Sequence, residues 1–279
     1  LNILTLSRPG LLSTATEAAM LSASIHFDQM SLYDASAEAL SERVETSQPD
    51  YLLILGVEQD PAHAQSNVEH CVHLAKTFNL PIIMTSSDRV FNRRQGKAWL
   101  VDEPVHPEDE KGKQLLHCES LVQSVEQHVL VRFGPLFGQG PRGRIEKLLY
   151  GEIESWDADV RRSFTASADA ARVVLAMLQQ ISCGVKPPLW GSYHYGGVRA
   201  MSELAFARLV HDEAKLMLPS LELPDAPNLP DGGEQMRRDL NTDSTLKTFG
   251  IKPQPVRNWI VRELRTLLDE QIKAAEAES

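Results

Sequence analysis

The sequence predicts an α/β fold built on a doubly wound parallel sheet, and three observations carry that prediction. Short apolar, partly β-branched runs (Leu1 to Leu6, Tyr51 to Leu55, Pro81 to Met84, Gln127 to Val131) alternate with segments of helical periodicity. The runs are nearly continuous rather than alternating apolar and polar, as strands buried on both faces are. The first run also ends in a short turn through Gly10 that leads into a helix, where such a sheet opens a ligand crevice. A right-handed parallel sheet is the economical architecture for this order of elements.

Taken in order, Leu1 to Leu6 is the first strand and Gly10 to Leu21 the first helix. Ala23 to Asp28 reads as the second strand, and Ala35 to Thr46 as a helix that Gln48-Pro49-Asp50 ends before the strand Tyr51 to Leu55. The helix beyond Gly56-Val-Glu-Gln-Asp-Pro61 carries His63, His70, Cys71 and His73. The i, i+3 pair His70 and His73 has no matching carboxylate or cysteine pattern, so no metal site is predicted. Pro81 to Met84 turns polar at Thr85-Ser86-Ser87-Asp88, where the strand is expected to end. Glu108 to Glu126 then carries Leu115, Leu116, Leu121, Val122 and Val125 at helical spacing.

Beyond the strand Gln127 to Val131, Gly138, Gly140, Pro141 and Gly143 mark a loop holding Arg142 and Arg144. Paired guanidinium groups suit a diphosphate, and two solvated loop arginines are the equal alternative. Ser167-Ala-Asp169 opens a helix through Leu178, and Trp190 to Gly197 reads as the last strand. Tyr193 and His194 are neighbours on it and face opposite sides, so they cannot act as an acid–base pair; Tyr193 and Tyr195 are expected on the core face. Ser202 is placed to cap the following helix. Four prolines between Pro219 and Pro230 predict a surface loop, and Val256 to Leu268 an amphipathic helix packed across the sheet.

The chain has 279 residues, 42% hydrophobic and 24% charged, ordinary values for a domain with a full core. A formal net charge of −10 argues against a nucleic-acid or anionic-membrane surface. No apolar run reaches the length of a membrane span. The three cysteines are widely spaced and form no C-x-x-C pair, which suits a reducing cytoplasm.

Several stretches resemble one family. Thr85-Ser-Ser-Asp-Arg-Val-Phe91 is followed by Asp102-Glu-Pro104, His106-Pro107, Gly112-Lys113, Leu115-Leu116 and Glu119. Gln48-Pro-Asp-Tyr-Leu-Leu-Ile-Leu55, Arg132-Phe-Gly-Pro-Leu-Phe-Gly138, Ser167-Ala-Asp169, Trp190 to Gly197 and Arg237 to Gly250 follow the same pattern of order and spacing. Together they resemble the dTDP-4-dehydrorhamnose reductase family of extended short-chain dehydrogenases. The resemblance implies a single Rossmann-like unit over residues 1–279. Its core would lie mainly in residues 1–135 and 160–200, with a smaller C-terminal sugar-nucleotide lobe mainly in 136–159 and 201–250. It also implies NAD(P) as cofactor and a 4-keto sugar nucleotide as substrate.

Residue by residue, the resemblance places Ser7, Gly10 and Ser13 at the family's three turn glycines. Arg8 would then lie beside an adenosine phosphate, and Asp28 at the ribose 2′-hydroxyl, or simply at a turn cap. Ser87 takes the catalytic hydroxyl position, Lys111 the position of the catalytic Tyr, and Leu115 that of the catalytic Lys. None of the five tyrosines has Lys four residues on: Ala37, Leu55, Glu154, Gly197 and Arg199 follow Tyr33, Tyr51, Tyr150, Tyr193 and Tyr195. A positioned acid contributes about 10²–10⁴-fold in rate, and Leu115 cannot lower the pKa of any donor. The Gly56 to Pro61 segment is shorter than the family's, so the crevice should be lined differently or partly closed. The expectation is a non-catalytic member that binds a nucleotide or sugar nucleotide, with a protein partner or a second copy as its target. The regulatory subunit of methionine adenosyltransferase is a family precedent. An active reductase using Lys111 as acid, and a structural protein with an empty crevice, remain alternatives.

Overall fold

The computed structural model describes residues 1–138, 143–152, 157–184, 189–217 and 236–278. Its strands are β1 Asn2–Ser7, β2 His26–Ser31, β3 Tyr51–Leu55, β4 Ile82–Ser87, β5 His128–Phe133, β6 Leu136–Phe137, β7 Val160–Arg161, β8 Thr165–Ala166, β9 Gly191–Tyr195 and β10 Met236–Arg237. Its helices are α1 Leu11–Ser22, α2 Ala37–Ser47, α3 Pro61–Phe78, α4 Glu110–Gln123, α5 Arg144–Leu149, α6 Ser167–Ser182, α7 Glu203–Met217, α8 Asp243–Phe249 and α9 Val256–Glu278. Six parallel strands form one sheet in the order β2-β1-β3-β4-β5-β9. The predicted doubly wound parallel sheet is present.

Helices cover both faces of the sheet. Ile3, Leu53, Ile83, Val129, Val131, Tyr193 and Tyr195 join α1 and α6 in one core, and Leu4, Ile54, Met84, Leu130 and Leu115 join α2, α3 and α4 in the other. Successive strand residues therefore feed opposite cores, as the two-residue period requires. A third core, with Phe137, Ile145, Phe164, Phe206, Val210, Ile260 and Leu264, holds the smaller lobe, where the Phe164 and Phe206 rings stack at 4.4 Å.

Three expectations need correction. The second strand is His26–Ser31, not Ala23 to Asp28, because Ser24 takes a left-handed backbone (φ 55°) that closes the end of α1. β4 runs on through Thr85, Ser86 and Ser87, which pair with Val131, Arg132 and Phe133 of β5, the Ser86 hydroxyl finding a partner in Glu119 and that of Ser87 in the Arg89 amide. Helix α9 packs into the lobe core beside α7 rather than across the sheet, and it is Phe249 and Ile251 that reach the sheet core. Ser202 caps α7 as expected, its Oγ accepting from the Ala205 amide at 3.2 Å. The proline-rich stretch from 219 to 230 lies outside the described residues.

A buried ion pair crosses this architecture. Arg132 of β5 and Glu119 of α4 are 2% and 0% exposed, and the guanidinium donates from Nε and Nη2 to Oε1 and Oε2 at 3.0 and 2.7 Å. Ser86 Oγ of β4 donates to the same Oε1 at 2.6 Å. On β9, His194 Nε2 lies 3.3 Å from Arg132 Nη1, and its Nδ1 lies 3.2 Å from the Trp99 carbonyl. A guanidinium has no acceptor, so Nε2 accepts and Nδ1–H donates: the imidazole is neutral. Burial and the Arg132 charge push its pKa down to about 3.

That depression has a sign. The unfolded chain binds the His194 proton near pH 6.5, the folded one only near pH 3, so stability is full above about pH 6.5 and falls as pH drops. Below pH 6 this one group should cost up to about 1.4 kcal/mol per pH unit. Denaturant unfolding of His194→Gln should therefore show a shallower loss of stability between pH 6.5 and 5 than the parent. Equal slopes would contradict a neutral buried imidazole.

Candidate functional site

The strand order reverses between β1 and β3, and ligands of such sheets bind outside the carboxyl ends at that point. A cavity of about 620 Å³ opens there. One wall is the start of α1 (Gly10, Leu11, Leu12) with Glu58 and Gln59 of the 3-10 turn Val57–Gln59; Thr85, Ser86 and Ser87 of β4 lie below. Arg89, Arg144 and Arg162 bring three guanidinium groups to it.

Each arginine is held by a carboxylate. Asp88, wholly buried beside Ser87, accepts from Arg162 Nε and Nη2 at 2.8 and 2.5 Å and so ties the lobe to the end of β4. Arg144 Nη1 donates to Glu203 at 2.7 Å and Arg89 Nη1 to Asp109 at 3.1 Å. A guanidinium has five N–H donors, so each keeps some for a ligand. Ser87 Oγ accepts from the Arg89 amide at 3.2 Å and lines the cavity. Two further glycines bring the lobe close: a Cβ on Gly134 would lie 1.9 Å from the Ser163 carbonyl oxygen, and one on Gly196 2.4 Å from Ser163 Cβ.

The start of α4 holds Lys111, Gly112 and Leu115. Gly112 is required by close approach, since a Cβ there would lie 2.7 Å from the Arg89 carbonyl oxygen. Its amide donates to the capping Asp109 at 2.6 Å. Lys111 sits on the first turn and is not among the cavity's lining residues. Leu115 is wholly buried in the core against α3 and the sheet.

The turn after β1 is satisfied by its own side chains. Ser13 Oγ accepts from the Gly10 amide at 2.9 Å and lies 2.9 and 3.0 Å from the Arg8 and Gly10 carbonyls. Ser7 Oγ accepts from Gln29 Nε2 at 2.9 Å. The Arg8 guanidinium lies over the Tyr33 ring, 5.0 Å from its centroid, rather than lining the cavity. Asp28 sits mid-strand in β2, paired with Leu4 and 3.6 Å from Arg43, because the strand continues to Ser31; it does not end the strand as expected. Arg142 lies outside the described residues, so of the expected arginine pair only Arg144 is placed at the cavity. Among the described residues no cluster of His, Cys, Asp or Glu could hold a metal; His70 Nε2 is instead 3.0 Å from Ser41 Oγ.

Four residues that the sequence reading passed over shape the cavity: Glu58, Gln59, Arg89 and Arg162. Glu58 Oε2 is buried with no hydrogen-bond partner. Burial pushes its pKa up to about 7 against the opposing pull of its own backbone amide and of Lys111. The Gln59 carboxamide lies on the glycine turn: a Cβ on Gly10 would come 2.9 Å from its Nε2, and one on Gly56 (φ 86°) 3.1 Å from it.

Solved structures share this fold. A dTDP-4-dehydrorhamnose reductase from Clostridium acetobutylicum superposes with a TM-score of 0.77 at 16% identity, covering 96% of this chain and 100% of that one. One from Bacillus anthracis in complex with NADP gives 0.76 at 14%, covering 95% and 98%. One from Yersinia enterocolitica gives 0.70 at 17%, covering 95% and 99%. No curated protein matches the sequence.

A dinucleotide needs its pyrophosphate against the turn glycine and the start of the helix. Here the Gln59 carboxamide covers Gly10, and Ser13 already holds the Gly10 amide, so the residues present do not fit a pyrophosphate in that place. Gln59→Gly together with Ser13→Gly should uncover the turn and free the Gly10 amide, tightening NADPH binding by about tenfold or more, the value of one charged hydrogen bond regained; unchanged calorimetric affinity would show that these two side chains are no barrier. Leu115→Lys, which restores the family residue, should destabilise the fold by about 3–5 kcal/mol through an unpaired buried charge, measurable by denaturant unfolding. A mild loss would mean that the position opens to the cavity. The family model of the RmlD substrate binding domain matches residues 54–268, well over half of the chain, and the chain therefore belongs to that family.

Proposed function

We propose that this protein binds a sugar nucleotide or nucleotide in the crevice above Ser87 and acts through that binding, without reducing a carbonyl. One observation carries the reading. Three arginines line the cavity, while the two positions of the family's proton relay hold a lysine off the cavity wall and a leucine buried in the core. Guanidinium groups in a partly dried cleft suit a diphosphate. A reductase needs a donor within hydrogen-bond reach of the reacting oxygen, and neither Lys111 nor Leu115 supplies one. The reductase, dehydratase and epimerase names of the similar structures fit a sugar-nucleotide ligand. Binding of this kind serves a regulatory role toward a partner protein or a second copy, and the two buried and one exposed free cysteines fit a reducing cytoplasm.

Calorimetric titration with dTDP-glucose should give micromolar affinity, and Arg144→Ala should weaken it about tenfold. No NADPH-dependent reduction of dTDP-4-dehydrorhamnose should be detected. Turnover of about one per second or faster, ordinary for an enzyme, would overturn the reading.

A further inference from the structure

We propose that the crevice takes up one proton with its anionic ligand, and that Glu58 on the crevice wall is the group that receives it. The inference rests on the reading of the crevice as a diphosphate site. Its basis is an imbalance of partners. The three cavity arginines each hold a carboxylate, whereas Glu58 Oε2 is buried on the same wall with none. Glu58 belongs to the short segment between Gly56 and Pro61 that replaces the family's longer one, and it shares the cavity wall with Leu11, Leu12, Phe133 and Leu136 as well as with hydroxyls and arginines.

The groups around Glu58 decide which form a ligand selects. Lys111 of α4 acts on it through space and favours the carboxylate. Tyr33 lies within electrostatic reach, with Arg8 over its ring, Asp60 nearby and His63 stacked on it at 5.0 Å. Arg89, Arg144 and Arg162 share the cavity, the last tied to buried Asp88. In the free protein burial, opposed by its own backbone amide and Lys111, leaves Glu58 poised near neutrality. A diphosphate adds negative charge to the same partly dried space, and a like charge nearby raises a carboxyl pKa. The proton therefore enters with the ligand, turning a repulsive carboxylate into a carboxyl O–H that can donate to a ligand oxygen. Binding should tighten as pH falls from 8.5 to 7 and level off below, where Glu58 is already protonated.

The test is calorimetry of the full chain with dTDP-glucose, whose diphosphate bridge carries no group titrating near neutral pH, in buffers of differing ionisation enthalpy. At pH 8 about one proton should be taken up per ligand, and almost none at pH 5.5, with affinity weakening up to about tenfold per pH unit above 7. Glu58→Gln should bind with no proton uptake and little pH dependence, whereas His63→Asn should keep both. Binding by the parent without proton uptake, or with proton release, would overturn the proposal while leaving the sugar-nucleotide reading standing. Retention of full uptake in Glu58→Gln would assign the proton elsewhere and overturn it too. Absence of any binding from pH 5.5 to 8.5 would overturn that reading and this proposal together.

Discussion

The Arg132–Glu119 pair is the contact on which the crevice depends. It joins β5 to α4, and through Ser86 and His194 it also fixes the end of β4 and the middle of β9. Two charges out of water are costly unless every lone pair and proton finds a partner. Here the carboxylate accepts two guanidinium bonds and a hydroxyl, and the guanidinium reaches the neutral imidazole and lies 5.1 Å from the Phe91 ring centroid. Phe91 stacks in turn on Trp99, whose carbonyl accepts from His194. The network specifies one register for β4, and so sets where Ser87, Asp88 and Arg89 emerge from the sheet. Removing either charge would leave the other buried and unpaired, a loss of about 3–5 kcal/mol.

From that fixed strand end the lobe is attached by a second ion pair. Asp88 holds Arg162, and the strand pair β7–β10 follows from the segment so placed. Gly134 and Gly196 allow Ser163 to approach the ends of β5 and β9 more closely than any side chain would permit. Sheet and lobe thus meet over the cavity, which is why its arginines come from three separate stretches of chain, residues 89, 144 and 162.

Much of the fold was legible in the sequence. The runs at residues 51–55 and 129–131 are apolar on both faces, as inner strands are, and the family resemblance implied the Rossmann-like sheet that the structure has. Asp169 shows what could not be read: it accepts from the Tyr195 hydroxyl at 2.8 Å, a contact between α6 and β9 with no local spacing to announce it. The same holds for the site. Ser87, Gly10 and Arg144, singled out by motif and register, line one cavity. Asp28 misled because a positive-φ Ser24 delayed the strand, and Glu58 and Gln59 were passed over because a polar loop between two elements gives no hint of which side chain turns inward.

The proposed function requires that the ligand sit at the carboxyl ends of β3, β4 and β5. Amide hydrogen exchange with and without saturating dTDP-glucose tests this most directly. The account predicts slowed exchange in residues 56–60, 85–90 and 134–137, the backbone around the cavity. Protection absent there, or confined to the far edge at α2 and β2, would contradict it.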